Sequence, residues 1–310
     1  MKYSFVVPCY KSKETITLVV KEIVDTMKVH HVEDYEIICV NDYPLDDTIV
    51  TLKELSKKYR NLIVINLSKN FGQHAALLAG YHKCKGEIII SLDDDGQTPA
   101  CEVFKLLEKL DTGYDVCFAK YQNKKHSRFR NLGSKLNDLM AVWLLDKPKD
   151  LYISSYFVAR RYVIDEVIKY SNSFPYVTGL VLRSTAFITN ACINHRNRDI
   201  GVSNYTFKSL ISLWVNGFTS FSIKPLRISM ILGLSCAFLG FITGIYSVIN
   251  WILNPKVPLG WTSTIGIITF IGGMILIVLG MIGEYLGRIY ISINKQPQYI
   301  IKEEIKNEKE

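Results

Sequence analysis

The sequence lacks the short patterns by which several large classes of enzyme are recognised. Its seven cysteines are widely spaced and form no Cys-x-x-Cys pair, which argues against a disulfide framework and favours a reducing compartment. It has no His-Glu-x-x-His sequence, and no glycine-rich phosphate-binding loop of either common type follows a predicted strand. P-loop nucleotidases, nicotinamide enzymes and zinc proteases are therefore poor explanations for this chain.

Charge is missing from two long stretches near the C-terminus, although the whole chain carries 37 Lys and Arg against 29 Asp and Glu. Residues 228–253 and 259–283 contain no charged side chain, and each exceeds the roughly 20 apolar residues needed to cross a bilayer. The link 254–258 is short and turn-forming, so the two stretches predict a transmembrane helical hairpin. Two long helices buried in a soluble core are the alternative, which the length and the absence of charge disfavour.

Basic residues flank this hairpin on one side. Lys224 and Arg227 precede the first stretch, Arg288 and Lys295 follow the second, and the link offers only Lys256. The positive-inside rule therefore predicts that both termini are cytoplasmic. The N-terminus shows no signal-peptide pattern, because it is a short strand-like run that ends at a proline.

The first 120 residues alternate between short apolar runs and amphipathic segments. This alternation predicts an α/β domain whose largely parallel sheet is covered on both faces. The predicted strands are Tyr3–Val7, Glu36–Val40, Leu62–Asn66, Glu87–Leu92 and Val116–Ala119. The predicted helices are Glu14–Met27, Asp46–Tyr59, His74–Lys83 and Cys101–Lys109. Ligands of such sheets bind beyond the carboxyl ends of the strands, so the residues after each strand are the candidate site.

Acidic residues follow two of these strands, and an aromatic residue, Tyr10, follows a third. The second strand runs into Asp42, and the fourth runs into Asp93-Asp94-Asp95-Gly96-Gln97. Asp93 and Asp95 point the same way on an extended chain, and their hard oxygen atoms suit Mg²⁺ or Mn²⁺. A cation held there would offset the charge that develops on a departing diphosphate. The alternative for an acidic run is a solvated loop or a helix cap, which its position after an apolar strand disfavours.

These motifs, in this order and with the two apolar stretches, resemble the family two glycosyltransferases. The resemblance is closer still to the membrane-anchored polyprenyl-phosphate glycosyltransferases, such as the bactoprenol-phosphate glucosyltransferases. It is carried by Val6–Tyr10, Val40–Asp42, Asn70–Ala76 with Gly80, Asp93–Pro99, Arg198–Tyr205, Pro225–Arg227, Gly283–Tyr290 and Gln296–Tyr299. It implies a GT-A catalytic domain, Rossmann-like with a mostly parallel sheet, followed by a two-helix transmembrane hairpin.

The resemblance also implies roles for individual residues. Those implied to bind the nucleotide sugar are Pro8, Tyr10, Asp42 and Asp93. Asp93 and Asp95 are implied to be catalytic, with Asp95 and Gln97 at a Mg²⁺ or Mn²⁺ ion. Those implied to bind the acceptor or the phosphates are Arg128, Arg198, Ser203 and Tyr205. Arg128 belongs to a basic cluster at 120–130 that would meet an anionic acceptor or lipid leaflet; a solvated loop is the alternative.

The chain departs from the pattern of the family at three places. Lys11-Ser12 stands where Asn-Glu is usual, Asn204 stands where a lysine is usual, and Leu151 stands where an aspartate is usual. A missing carboxylate at 151 would be serious for an enzyme that must deprotonate a sugar hydroxyl. It matters less for a phosphate monoester acceptor, whose second pKa of about 6 leaves the nucleophilic oxygen largely ionised at neutral pH.

The predicted domains are a cytoplasmic GT-A domain at 1–205, a juxtamembrane region at 206–227, the hairpin at 228–283 and a cytoplasmic tail at 284–310. The apolar stripe of 207–221 predicts a helix in the membrane interface, with an ordinary core helix as the alternative. The polar residues 302–310 are expected to be frayed.

The sequence therefore predicts an inverting transferase of a bacterial cytoplasmic membrane. Its donor is expected to be a nucleotide-diphosphate sugar, with UDP as the expected nucleotide, and its acceptor undecaprenyl phosphate. Transfer to diacylglycerol or to a growing polysaccharide, and an inactive nucleotide-sugar-binding subunit, are the alternatives. The resemblance suggests a homo-oligomer, and no nucleic-acid partner is expected because the positive charge is modest and no binding motif is present.

Overall fold

The computed structural model describes residues 1–43, 45–122, 142, 147–148, 150–173, 175–194, 224–253, 261–294 and 296–307. The chain divides into two compact units, of which the first comprises 1–206 together with 295–310 and the second comprises 207–294. The first unit therefore contains residues from both sides of the predicted hairpin.

The first unit is built from eight strands and six α-helices in its described part. The strands are β1 (Tyr3–Cys9), β2 (Tyr35–Asn41), β3 (Leu62–Leu67), β4 (Ile88–Ser91), β5 (Val116–Gln122), β6 (Phe157–Arg160), β7 (Ile188–Asn194) and β8 (Ile301–Ile305). The helices are α1 (Ile16–Val29), α2 (Thr48–Lys58), α3 (Gln73–Tyr81), α4 (Val103–Asp111), α5 (Arg161–Ile168) and α6 (Val177–Ser184). A short 3₁₀ turn, Ala100–Glu102, leads into α4.

All eight strands form one mixed sheet in the order β7-β5-β6-β4-β1-β2-β3-β8. Strands β4, β1, β2 and β3 are mutually parallel, and β5 is parallel to β7. Strand β6 runs antiparallel to both β4 and β5, and β8 runs antiparallel to β3. Because β4, β1 and β2 are parallel neighbours, their carboxyl ends meet at one edge of the sheet.

The central strands are buried on both faces, as their continuous apolar sequences predict. Every residue of β1 and β2 is buried. Helix α1 covers one face with an apolar stripe at helical spacing that includes Val19, Ile23 and Met27, each at most 2% exposed. Helix α3 lies against β1 and β2, where an added Cβ at Gly80 would come within 2.4 Å of Val6 Cγ1. The small residue at position 80 therefore sets how closely the helix approaches the sheet.

The nine elements predicted within the first 120 residues are all present, with ends within three residues of those expected.

The prediction for the tail was wrong in its described part. Residues 301–305 do not fray; they form β8, which pairs antiparallel with the outer edge of β3. The alternating burial of this segment fits an edge strand, since Ile301, Glu303 and Ile305 are partly buried while Lys302 and Glu304 are exposed.

The second unit consists of two long helices in its described part, α7 (Lys224–Leu253) and α8 (Trp261–Ile293). Ser229 Oγ of α7 lies 3.4 Å from Met281 Sδ of α8, so the helices are in contact. In α8, Phe270–Ile293 is long and apolar enough to cross a membrane, whereas the apolar part found in α7, Ser229–Ile242, is shorter. Large apolar side chains such as Leu276 and Leu279 are exposed on α8. The predicted link 254–258 and the stripe 207–221 lie outside the described residues.

Candidate active site

The site is assembled where β4, β1 and β2 end side by side. Cys9 pairs with Asn41 in the parallel register of β1 and β2, so the loops that begin at Tyr10 and Asp42 are neighbours. The backbone N–H of Asp42 donates to Cys9 O at 2.9 Å. The backbone N–H of Tyr10 donates to Asp94 Oδ2 at 2.8 Å, which joins the acidic loop to the other two. The structure therefore brings together three loops that the sequence placed at one sheet edge.

Asp42 uses its carboxylate to hold the loop that precedes α3. Its Oδ1 accepts from Phe71 N at 2.8 Å, and its Oδ2 accepts from Gly72 N at 2.7 Å. Burial raises the pKa of Asp42, while the two amide donors act in the opposite direction. Gly72 has φ +92°, a conformation that side chains disfavour, so glycine suits the tight approach of this loop to the carboxylate. Asp42 thus shapes the rim of the site.

Asp93 lies between α3 and the segment that leads into β6. Its Oδ1 accepts from Gln73 Nε2 at 2.9 Å, and its Oδ2 accepts from Ser155 Oγ. Burial raises the pKa of Asp93 to about 6; the negative charge of Asp95 adds to this rise, and the hydrogen bonds from Ser155 and Gln73 oppose it. Sequence reasoning missed Gln73 and Ser155 as site residues, although Gln73 stands in one of the motifs that carried the family resemblance.

Asp94 and Asp95 complete the acidic loop. Burial raises the pKa of Asp94 to about 6, the Tyr10 amide opposes the rise, and the charges of Asp93 and Asp95 reinforce it. Asp95 Oδ1 accepts from the backbone N–H of Gln97 at 3.0 Å, which closes a tight turn around Gly96. The negative charge of Asp95 thus disfavours the ionisation of both Asp93 and Asp94 on the same loop.

The oxygen atoms of this loop fit a cation that is shared with a substrate. Within the described ranges, no group of three or more His, Cys, Asp or Glu side chains is arranged as a metal-binding cluster. Mg²⁺ and similar ions do not need one, because they often take one or two carboxylates and complete their shell with water and phosphate oxygens. The mutual repulsion of Asp93, Asp94 and Asp95 is the kind of charge crowding that such an ion would relieve.

An aromatic pair stands at the rim beside these carboxylates. The rings of Tyr10 and Tyr43 meet edge to face with centroids 5.2 Å apart, and Tyr10 is 46% exposed. Lys11 Nζ lies 5.4 Å from the Tyr10 ring and 4.9 Å from the Tyr43 ring. Lys11, one of the departures from the family pattern, therefore sits over both rings. Pro8 is buried inside β1, one residue before the strand ends.

The segment that departs from the family pattern at Leu151 also lies at the site. Leu151 is buried at 6% exposure, and Asp150 is exposed. Asn190 of β7 fixes the segment: its Oδ1 accepts from Tyr152 N at 2.8 Å, and its Nδ2 donates to Tyr152 O at 2.7 Å. This leaves Ser155 as the side chain of the segment that contacts Asp93.

The residues that the resemblance implied for the acceptor or the phosphates lie outside the described residues; they are Arg128, Arg198, Ser203 and Tyr205. The residues that the structure does bring together are Tyr10, Asp42, Asp93, Asp94 and Asp95, with Gln97 in the turn that follows them. The arrangement offers an acidic loop, a flanking aromatic pair and a polar loop at the start of α3.

Comparisons of the sequence with known families and proteins agree with this arrangement. Residues 4–168 match the family described as glycosyl transferase family 2, and residues 224–289 match the GtrB C-terminal hairpin. CsbB of Bacillus subtilis (strain 168), which is named as a glycosyltransferase, is 31% identical, covering 97% of this chain and 91% of that protein. The undecaprenyl-phosphate 4-deoxy-4-formamido-L-arabinose transferase of Klebsiella pneumoniae (strain 342) is 30% identical, covering 97% and 93%. Its namesake from Proteus mirabilis (strain HI4320) is 29% identical, covering 97% and 93%.

Solved structures with low sequence identity share the fold. The glucosyl-3-phosphoglycerate synthase of M. tuberculosis superposes with a TM-score of 0.50 at 17% identity, covering 67% of this chain and 75% of that one. The mannosyl-3-phosphoglycerate synthase of Rubrobacter xylanophilus gives a TM-score of 0.50 at 15% identity, covering 70% and 72%. The predicted Rossmann-like GT-A fold with a mostly parallel sheet is confirmed.

Proposed function

Because the chain belongs to glycosyl transferase family 2, as its motifs predict, we propose that it transfers a sugar from a UDP-sugar to undecaprenyl phosphate with inversion at the anomeric carbon. The predicted enzyme class, glycosyltransferase, is confirmed by that membership. The observation that carries the proposal is the convergence of Tyr10, Asp42 and the loop Asp93–Asp95 at the carboxyl ends of three neighbouring strands. The names of the Klebsiella and Proteus relatives supply the acceptor class.

The nucleotide occupies the edge formed by the loops after β1 and β2. The exposed ring of Tyr10, braced by Tyr43, offers a surface on which a nucleobase stacks. Lys11 above both rings places a positive charge where a phosphate or an electron-rich base would lie. Asp42 keeps the loop at Phe71 and Gly72 against the pocket, and Pro8 stiffens the strand beneath it.

The diphosphate lies over the acidic loop. Asp93 is oriented by Gln73 and Ser155, so its carboxylate is held in place before the substrate arrives. Asp95 and Gln97 are the residues that would hold Mg²⁺ or Mn²⁺ together with the diphosphate. When bound, such an ion neutralises charge on the leaving group.

The acceptor oxygen attacks the anomeric carbon as the bond from that carbon to the UDP oxygen breaks. The electron pair of the broken bond leaves with UDP, and the new bond joins the sugar to the lipid phosphate. A phosphate monoester is mostly ionised at neutral pH, so no strong base has to remove a proton. The buried Leu151 at the position of the family's usual aspartate is consistent with such an acceptor. Arg128, Arg198, Ser203 and Tyr205 are the proposed contacts of the phosphates.

A membrane location follows from the acceptor, because the reacting phosphate is attached to a lipid. We assign the GT-A domain to 1–205, the juxtamembrane region to 206–227, the membrane hairpin to 228–283 and the tail to 284–310. We propose that both termini lie in the cytoplasm, as the basic residues that flank the hairpin predict, and that the chain assembles as a homo-oligomer. The apolar surface of α8 supports the location.

Transfer of a radiolabelled sugar from UDP-sugars to undecaprenyl phosphate by the purified full chain tests the proposal. Wild type with Mg²⁺ or Mn²⁺ should label the lipid, and Asp95→Ala should reduce labelling by roughly a hundredfold or more, as expected for lost stabilisation of a leaving group. Asp111→Ala, which removes an acid from the end of α4, is the matched control and should label normally. Equal labelling by Asp95→Ala and wild type would contradict the metal assignment.

The buried Leu151 and the substitution at Lys11 favour one second candidate, an inactive subunit that binds nucleotide sugars. Calorimetry with UDP separates the two, since the subunit would bind UDP yet label neither undecaprenyl phosphate nor diacylglycerol. Mass spectrometry of any labelled lipid distinguishes undecaprenyl phosphate from diacylglycerol as the acceptor.

A further inference from the structure

One row of residues crosses four adjacent strands directly beneath the candidate nucleotide pocket. In the register of the sheet, Cys9 of β1 pairs with Asn41 of β2, Asn41 pairs with Asn66 of β3, and Asn66 pairs with Glu303 of β8. The next residues along β1 and β2 are Tyr10 and Asp42. The row therefore begins at the strand contributed by the tail and ends immediately below the loops of the site.

Side-chain hydrogen bonds connect the members of this row. Asn66 Nδ2 donates to Glu303 Oε1 at 2.9 Å, and Asn41 Nδ2 donates to Asn66 Oδ1 at 2.9 Å. Asn41 Nδ2 also donates to the backbone carbonyl of Tyr43 at 3.4 Å, which reaches the aromatic pair at the rim. Asn41 is fully buried and Asn66 is 3% exposed. Buried amides need partners, and Glu303 supplies the one that orients Asn66.

The strand that carries Glu303 is fastened along its length to the first unit. Ser68 N donates to Ile300 O at 2.9 Å. Gln298 Nε2 donates to Tyr170 O at 2.8 Å and to Asn172 O at 2.7 Å. Lys53 of α2 pairs with the other oxygen of Glu303 at 3.0 Å. The strand is thus held in position mainly by backbone and amide hydrogen bonds that lie away from the pocket.

We propose that Glu303 is a positioning residue of the donor site, acting through Asn66 and Asn41 on the loop that holds Asp42 and Tyr43. This inference rests on the proposed function, since it assigns the nucleotide to that loop. Glu303 itself touches no substrate. It fixes the amide of Asn66, which fixes Asn41, and Asn41 restrains the carbonyl of Tyr43. The tail strand is therefore a component of the donor site and not only a cover for the edge of the sheet.

The neighbouring acid on the same strand provides a matched control. Glu304 pairs with Lys83 at 2.7 Å and with Lys306 at 2.6 Å, and its contacts do not include the asparagine row. Glu303→Ala removes the acceptor of Asn66, whereas Glu303→Gln keeps an oxygen that accepts from Asn66 but loses the charge. Lys53→Ala removes the ion pair of Glu303 and leaves the asparagine bond intact.

The test measures UDP binding by calorimetry with Mn²⁺, on the full chain in detergent, for wild type and four variants: Glu303→Ala, Glu303→Gln, Glu304→Ala and Lys53→Ala. Glu303→Ala should weaken UDP binding roughly fivefold, the change expected for one lost buried hydrogen bond. Glu303→Gln, Glu304→Ala and Lys53→Ala should bind UDP within about twofold of wild type. Equal effects of Glu303→Ala and Glu304→Ala would overturn the inference, as would an effect of Lys53→Ala as large as that of Glu303→Ala.

Amide hydrogen exchange without nucleotide makes the inference testable apart from the proposed function. Exchange in peptides covering 41–43 should be faster in Glu303→Ala than in Glu304→Ala, while Glu303→Gln should resemble wild type. Unchanged exchange at 41–43 in Glu303→Ala would overturn the positioning role even if UDP binds. Failure of wild type to bind UDP would instead contradict the proposed donor, and the exchange comparison would still decide the role of Glu303.

Discussion

At the scale of single residues, Asp42 commits both carboxylate oxygens to backbone amides, at Phe71 and Gly72. Asp42→Asn would set an amide N–H₂ against one of these donors. Because a hydrogen bond to a charged group is lost, we expect a loss of about 1.5–3 kcal/mol in the free energy of unfolding and weaker UDP binding. Chemical denaturation and calorimetry measure the two effects. Asp34→Asn, at an exposed position, is the control. Unchanged unfolding and binding in Asp42→Asn would show that the loop does not depend on this carboxylate.

His74, at the start of α3, predicts a dependence of stability on pH. Its ring packs edge to face on Tyr176, its Nδ1 is buried without a hydrogen-bond partner among the described residues, and burial lowers its pKa from 6.5 to about 4. As the pH falls from 6.5 towards 4, His74 therefore becomes protonated in the unfolded chain while it stays neutral in the folded chain. This contribution to stability is complete above pH 6.5 and is lost over that interval.

The side chain of His74→Gln cannot titrate. The melting temperature of this variant should therefore fall less between pH 7 and pH 5 than that of wild type. Thermal unfolding of both proteins at the two pH values measures the difference. His31→Gln, at an exposed position, should behave as wild type does. An equal loss in His74→Gln and wild type would mean that the imidazole is protonated equally in the folded and unfolded chains.

The positions of Tyr10, Asp42 and the acidic loop could be predicted because strand ends in a parallel sheet share one edge. The partners of these residues could not. Asp93 contacts Ser155, which lies 62 positions away along the chain, and nothing in the spacing links the two. Likewise, the sequence shows that Asp42 follows a strand but not that both of its oxygens bind backbone amides.

At the scale of elements, the approach of α3 to the sheet depends on Gly80. A Cβ at this position would lie 2.4 Å from Val6 Cγ1 and 3.3 Å from Val40 Cγ2, so the helix would have to move. Gly80→Ala should therefore cost about 1–3 kcal/mol by overpacking, in spite of the better helix propensity of alanine. Thermal unfolding measures the loss. Gly233→Ala in α7 is the control, because an added Cβ there would meet no described atom within 4 Å beyond its chain neighbours and its own helix backbone. Equal stability of Gly80→Ala and wild type would mean that α3 shifts without cost.

The elements that could be predicted are those whose sequence alone makes burial obvious. Strands β1, β2 and β4 are short, nearly continuous apolar runs, which is typical of strands covered on both faces. Strand β8 has the sequence Ile-Lys-Glu-Glu-Ile, which looks like a polar tail because only one of its faces is covered. Its partner β3 lies more than 230 residues earlier, so no local pattern reveals the pairing.

At the scale of the whole molecule, the exposed apolar surface of α8 predicts stable integration in a membrane. The full chain should remain in the membrane fraction after an alkaline carbonate wash. Leu279→Arg places a charge near the middle of Phe270–Ile293 at a cost of about 2.5–3.5 kcal/mol, so a larger share should be released. Leu279→Ala is the control and should stay with the membrane. Release of wild type by carbonate would contradict a membrane-spanning role for α8.

The position of β8 also bears on how the protein is made. Ribosomes synthesise a chain from its N-terminus, so β3 emerges long before its outer neighbour exists. Until the two long helices have been translated, the nascent sheet presents an unpaired border that other chains could join. Completion of the eight-stranded sheet is therefore delayed until the two hydrophobic helices have left the ribosome. Ribosomes that stall within those helices would release chains whose β3 edge is unpaired, and such chains are prone to aggregate.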